Sequence, residues 1–402
     1  MYDLRHLVWW KRHSLIEKRA GQIADPVERL RYLRQNAQVQ PAPPSLAQSL
    51  NYWKERRNWI VLSLTVFVFL ASIPGHTNSR TSTEKTPGPR LLPPSMRTNA
   101  FALDRSKPSA VWLVDTRGGT ENFSNGLRID NTYAVRNEPR TDYPIYGYGK
   151  IDEGIVSRGS VPVGIVYHTT ESHLAPFEAR ENHKLQLIGQ AVLEYVRGNR
   201  SYHFVIDRFG RVYRIVQESD IAFHAGNSVW GDDKGAYVNL NSSFLGVAFE
   251  TATGGNEIPT ATPAQITSAR VLTEMLRSKY GIPAANCVTH AQVSVNPGNM
   301  LIGYHTDWAG SFPFSELGLP DNYLLPPPSM YAFGFGYDGI YVQVTGNRVW
   351  QGLLMAEDQV QRQAATAAMP VPKYIAVLQH RYRQIIAVLK SKSPGKEKGD
   401  EA

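Results

Sequence analysis

The chain has 402 residues, long enough for more than one domain, and an ordinary globular composition with 42% hydrophobic and 10% aromatic residues. Its formal charge is +8, but residues 1–57 alone carry eleven Lys/Arg against five Asp/Glu, so the remainder is close to neutral. That uneven placement, with no stacking platform or recognition helix beside it, argues against a nucleic-acid partner. The single cysteine, Cys287, excludes an intramolecular disulfide and a cysteine-built zinc cluster. It reads as a small buried apolar residue. Any metal site must therefore use His, Asp or Glu.

Residues 1–57 form a basic segment, partly helical where Asp25 caps "DPVERLRYLRQNAQ" and Pro26 takes the first turn. "NWIVLSLTVFVFLASI" follows, and the 22 residues between Arg57 and Arg80 carry no charge. About twenty apolar residues span a bilayer, so 58–78 is expected to be one transmembrane helix or signal anchor. "KERR" immediately before it puts the N-terminus inside, by the preference of positive charge for the cytoplasmic side. A cleaved signal peptide and a buried core helix are the competing readings; a 57-residue leader is too long for the former. The expectation is a single-pass inner-membrane protein with its later domains on the periplasmic or extracytoplasmic side. Residues 79–109, rich in Ser, Thr and Pro, read as a linker.

From about Ala110 the pattern becomes globular. "VPVGIVYH" (161–168) is an apolar, β-branched run typical of a strand buried on both faces. Residues 178–198 have helical spacing and are expected to stop at Gly198. "YHFVIDRFGRVYRIV" (202–216) reads as two strands around a turn at 208–210, and "SSFLGVAFE" (242–250) as another strand. Residues 262–283 give the clearest helix: Thr262 and Gln265 make a capping box, Pro263 takes the first turn, and Gly281 with Pro283 stops it. Elements in this order predict an α/β fold with a central mixed sheet flanked by helices. The boundaries expected are 110–328 for this domain, with a core at 161–319, and 329–402 for a C-terminal extension. The extension has helical composition over 353–392, interrupted at Pro370 and Pro372, and a charged, disordered end.

Several histidines stand in distinctive settings: His168 at a strand end, His203, His224 in "FHAGNS", His290 after "NCVT", and His305 two residues before Asp307. Taken singly, each reads as a structural histidine. As a set they have the composition of a catalytic zinc site, which needs three nitrogen or oxygen ligands and an open position. Spacing alone does not choose among them.

Residues 161–319 resemble the zinc-dependent N-acetylmuramoyl-L-alanine amidases. Five motifs carry the likeness in the family's order: "GIVYHTTES", "SYHFVIDRFGRVYRIVQESDIAFHAGNS", "NSSFLGVAFE", "TPAQITSARVLTEML" and "THAQVSVNPGN…HTDWAGSFPF". The resemblance implies His168, His290 and Asp307 as Zn²⁺ ligands, and peptidoglycan or a muropeptide as substrate. It implies cleavage of the amide between N-acetylmuramic acid and L-alanine. Tyr202 stands where the phage and animal branches carry a functional tyrosine, and His305 where many members carry a lysine. Both are read as catalytic. His224 belongs to the family's substrate-side loop and is placed with substrate, as is Thr169. His203 reads as structural.

Two departures from the family stand out. Ala248 occupies the place of a glutamate in the central strand, and Glu250, on the same strand face, is the candidate substitute. "VNPGNMLIGY" lengthens the loop before Asp307. Two alternative functions stay open: a non-catalytic peptidoglycan-binding module of the same fold, and an envelope scaffold built on the basic N-terminus and the helical tail.

Overall fold

The computed structural model describes residues 109–148, 153–252 and 260–392. The segments expected as a partly helical N-terminus, a transmembrane helix at 58–78 and a disordered end, with most of the linker, lie outside them. In chain order the first strands are β1 (Leu113–Arg117), β2 (Thr120–Phe123), β3 (Arg128–Asp130), β4 (Tyr143–Tyr146), β5 (Ile155–Gly159) and β6 (Gly164–Thr169). Helix α1 (Asn182–Asn199) then leads to β7 (Phe204–Ile206), β8 (Val212–Arg214), β9 (Val229–Asp232), β10 (Gly235–Val238) and β11 (Phe244–Phe249). Next come α2 (Pro263–Tyr280), β12 (Cys287–Thr289), α3 (His290–Val293), β13 (Val295–Asn296) and β14 (Leu301–Ile302). The chain ends in α4 (Pro328–Phe333), α5 (Gly339–Val344), α6 (Trp350–Thr366) and α7 (Val371–Lys392).

Eight strands form the main sheet in the order β1-β2-β3-β8-β7-β11-β6-β12. The β7-β11-β6-β12 half is parallel and the β1-β2-β3 edge is antiparallel, so the sheet is mixed as expected. All six residues of β6 and of β11 are buried, which follows from a parallel centre covered on both faces. Alternation sorts the side chains. Ile165, Tyr167, Leu245, Val247 and Phe249 join Leu272, Met275 and Leu276 of α2 in one core. Ala248 and Val205 face Leu193 and Val196 of α1 on the other side. His168 pairs with Ala248 in register and shares the α1 face.

The capping box of α2 is present: Thr262 Oγ1 accepts from the Gln265 amide, and Gln265 accepts from the Thr262 amide. The Gln265 amide group also donates to the carbonyls of Ile206 and Glu250, tying the helix start to two strands. Gly281 ends the helix in the left-handed conformation at φ +66°. Helix α1 differs from expectation. It runs past Gly198, and the left-handed stop falls on Arg200, at φ +56°. The Arg200 carbonyl is held there by the Phe223 amide, so a tertiary contact outweighs the local glycine signal.

Helices α4, α6 and α7 pack on the same core as the sheet. Tyr331, Phe333, Leu353, Tyr374, Leu378 and Tyr382 belong to one buried cluster with Ile165, Leu245 and Leu272. The location expected from the sequence needs correction. Among the described residues no helix is long and apolar enough to cross a membrane. The longest, α7, has 22 residues but carries Lys373, Arg381 and Arg383 along an amphipathic surface. A single-pass inner-membrane protein is therefore not supported. The segment from which it was inferred, 58–78, is outside the described residues.

Candidate active site

The parallel register builds the first half of the site. Thr289 of β12 pairs with Tyr167 of β6, so His290 follows at the level of His168. Both histidines thus stand at the carboxyl ends of neighbouring strands, where open α/β sheets place ligands. His290 opens α3, whose start is held by Thr289 and Gln292. Asp307 arrives from the loop after β13 and β14. The added residues before it form this small antiparallel hairpin. The hairpin does not displace the site: the Ala291 amide donates to the Asp307 carbonyl at 3.3 Å. Next to Asp307, Trp308 is buried in a left-handed conformation (φ +56°), and its indole N–H donates to the His168 carbonyl at 2.9 Å.

One ring nitrogen each from His168 and His290 and a carboxylate oxygen of Asp307 all lie within 4.8 Å of one another. His168 Nδ1 is 3.4 Å from Asp307 Oδ2, and His290 Nδ1 is 3.0 Å from Asp307 Oδ1. The second pair lacks the alignment of a hydrogen bond; Asp307 Oδ1 and His290 Nε2 are both buried without a partner. Unsatisfied buried acceptors and a buried carboxylate are costly unless a cation meets them. Burial and the neighbouring His290 push the pKa of His168 down to about 4. Burial opposes ionisation of Asp307, but the surrounding His290 and His168 hold its carboxyl well below the usual range. A neutral His168 beside an ionised Asp307 gives two of the ligand states that a divalent metal requires. The set therefore fits Zn²⁺, with its nitrogen and oxygen preference.

Above these residues lies a cavity of about 580 Å³. His168, Thr169, Tyr202, His224, His290 and His305 line it, so six of the eight sequence-derived site residues meet there. The Tyr202 hydroxyl donates to the Thr169 carbonyl at 3.4 Å, and its ring is 5.1 Å from that of His168. The Thr169 amide reaches Asp307 Oδ2 at 3.4 Å. The His305 ring stacks on His290, 4.3 Å between centroids and 18° from parallel. His224 is hydrogen-bonded to His168, Nδ1 to Nε2, at 3.1 Å. His203 is buried outside the cavity and accepts from the Gly246 amide, in keeping with a structural role.

Asp307 sits beneath the cavity without lining it, and Glu250 is elsewhere. Ala248 and Glu250 do share the α1 face, but the Glu250 carboxylate turns to the Arg208 amide, 3.1 Å away, beside Gly189. Burial pushes its pKa up to about 7. It does not line the cavity.

Sequence reasoning missed one wall. Ile188, Ala191, Val192, Tyr195 and Val196 of α1 form an apolar side of the cavity, and Tyr195 is 58% exposed. Their i, i+3, i+4, i+7, i+8 spacing is the available signal. Tyr304, Glu171 and His173 also line the cavity.

The sequence profile of the N-acetylmuramoyl-L-alanine amidase family matches residues 158–306. This chain carries an amidase domain of that family. The protein is an amidase, and amide hydrolysis in peptidoglycan is the class of reaction its domain points to. The match spans His168, Tyr202 and His290 and stops one residue before Asp307, so the third candidate ligand rests on the domain's own geometry. Among solved structures, the amidase domain is similar to N-acetylmuramoyl-L-alanine amidase LysC from Clostridium intestinale (24% identity, 47% of this chain and 93% of that one, TM-score 0.25). It is also similar to AmpDh3 from Pseudomonas aeruginosa, solved with an anhydromuramic pentapeptide (18%, 55% and 90%, TM-score 0.34). A third is AmiD from E. coli, solved with an anhydro-N-acetylmuramic acid peptide (19%, 50% and 86%, TM-score 0.33). No curated protein matches the chain.

Proposed function

We propose that the amidase domain hydrolyses the amide between the lactyl group of N-acetylmuramic acid and the L-alanine of the stem peptide, and that it uses zinc held by His168, His290 and Asp307. The observation that carries this reading is the convergence of the three candidate ligands, two of them with unpartnered buried atoms, beside the cavity. When bound, zinc supplies a water of lowered pKa and polarises the scissile carbonyl.

The remaining work falls to the side chains around the ligands. Burial, then Asp307, pushes the Tyr202 hydroxyl above its ordinary pKa, so it keeps its proton at neutral pH. Its role in this reading is to turn from the Thr169 carbonyl and donate a hydrogen bond as charge develops on the substrate carbonyl oxygen. His305, partly exposed beside His290, donates the proton that the leaving amine needs. The apolar α1 wall gives the substrate a surface to lie on and limits the water around the reacting bond.

The test is release of a free L-alanine amino terminus from purified peptidoglycan and from a soluble muropeptide, using metal-free and zinc-reloaded protein. Release only after reloading is expected. Fully zinc-loaded protein that frees no such terminus from either substrate would end this reading.

A further inference from the structure

Resting on the zinc reading above, we propose that His224 is a positioning residue whose ring fixes the tautomer of His168 and leaves Nδ1 of His168 bare toward the metal position. A backbone carbonyl begins the relay. The Phe244 oxygen can only accept, and His224 Nε2 lies 3.3 Å from it, so Nε2 carries the proton. The ring is buried between His168 and His203, and its described hydrogen bonds include no carboxylate to balance a second proton, so the geometry supports a single proton, on Nε2. His224 Nδ1 is then an acceptor. Its partner at 3.1 Å, His168 Nε2, must be the donor. His168 therefore has its proton on Nε2, and Nδ1, 3.4 Å from Asp307 Oδ2, presents a lone pair. A lone pair facing a carboxylate oxygen is repulsive unless a cation lies between them.

The seat of the His224 ring is built from two further positions. Gly246 of β11 has no side chain where the ring lies: a Cβ there would be 2.6 Å from His224 Cγ. Asn241 Oδ1 accepts from the amides of His224 and Ala225, at 2.9 and 2.7 Å, and pins the loop. Because both ring nitrogens of His224 are engaged within the protein, neither is left for substrate. Partners of this kind, which orient a metal-binding imidazole, typically change metal affinity 10- to 100-fold when removed.

Two measurements decide the matter. In the metal-free, ¹⁵N-labelled protein, long-range ¹H–¹⁵N correlations are expected to place the protons of His168 and His224 on Nε2. A proton on Nδ1 of His168 overturns the relay. In zinc competition titrations, His224→Phe, which fills the space but cannot accept, should weaken binding about 10- to 100-fold. His224→Asn, with an oxygen near the Nδ1 position, should stay within a few-fold of wild type. A His224→Phe protein with unchanged zinc affinity and a raised KM would also overturn it, and would return His224 to the substrate. The two readings fail separately: a wild type without zinc affinity sinks the zinc site, whereas the wrong tautomer sinks the relay.

Discussion

The imidazole rings of His290 and His305 lie one on the other, 4.3 Å apart and 18° from parallel, so one histidine at the ligand cluster is backed by a second at the cavity wall. If His305 moves a proton, the stack alone is not enough. His305→Ala should keep zinc at one equivalent and lower kcat about 10²-fold or more, the usual scale for a lost general acid. His305→Phe keeps an aromatic ring on His290 and should be equally slow. Zinc content and kcat, measured together, separate a proton donor from a stacking platform, since the latter would be restored by Phe.

Asp307 should behave differently. Its carboxylate faces both histidines, at 3.4 and 3.0 Å. Asp307→Ala is expected to elute from gel filtration without zinc and with activity near background. Full zinc occupancy in that variant would show that the third ligand lies elsewhere in the loop.

Glu250 offers a test through pH. Burial raises its carboxyl from 4.5 to about 7 in the folded chain. Between those values the folded state holds a proton that the unfolded state has lost, so stability falls as pH rises from about 4.5 to about 7 and then levels off. The loss is on the order of 3 kcal/mol. Glu250→Gln cannot ionise and should remove this fall. Urea midpoints of wild type and variant across the window give the difference; parallel curves would mean that Glu250 is already ionised near pH 5. Because Glu250 lies away from the cavity, kcat at pH 8 should change less than about threefold.

The C-terminal helices brace the Asp307 loop. Tyr341 of α5 packs where a side chain on Gly303 would sit, at φ +74°, and the backbone of Thr345 does the same at Gly310. Arg348 donates to the Gly310 carbonyl at 3.0 Å and pairs with Asp321 at 2.8 Å. Tyr341→Ala should cost about 3 kcal/mol of stability, as large-to-small core changes do. It should also weaken zinc binding in the protein that remains folded. Loss of stability with wild-type zinc affinity would limit α5 to a packing role.

Much of this was legible in the chain. The buried strand that carries His168, the strand leading to His290 and the capped helix α2 follow from local periodicity and end signals. The hairpin of β9 and β10 escaped notice because Asp233-Lys234 lacks the usual glycine of a tight turn, and the permissive residue is Gly235, one position later. Strand alternation does put Ala248 and Glu250 on one face, but a backbone amide of Arg208 draws the carboxylate aside. A period of two says nothing about such a partner.

By itself, then, the sequence determined which segments are strands and helices, which of their faces are apolar and which histidines end strands, because these depend on neighbours a few residues away. Tertiary structure alone decided that His168 and Asp307, 139 positions apart in the numbering, face each other at 3.4 Å. It also decided that His224 turns to His168 and that residues after 338 hold the Asp307 loop. Those relations depend on parallel strand register and on core packing between distant segments, which no local pattern records.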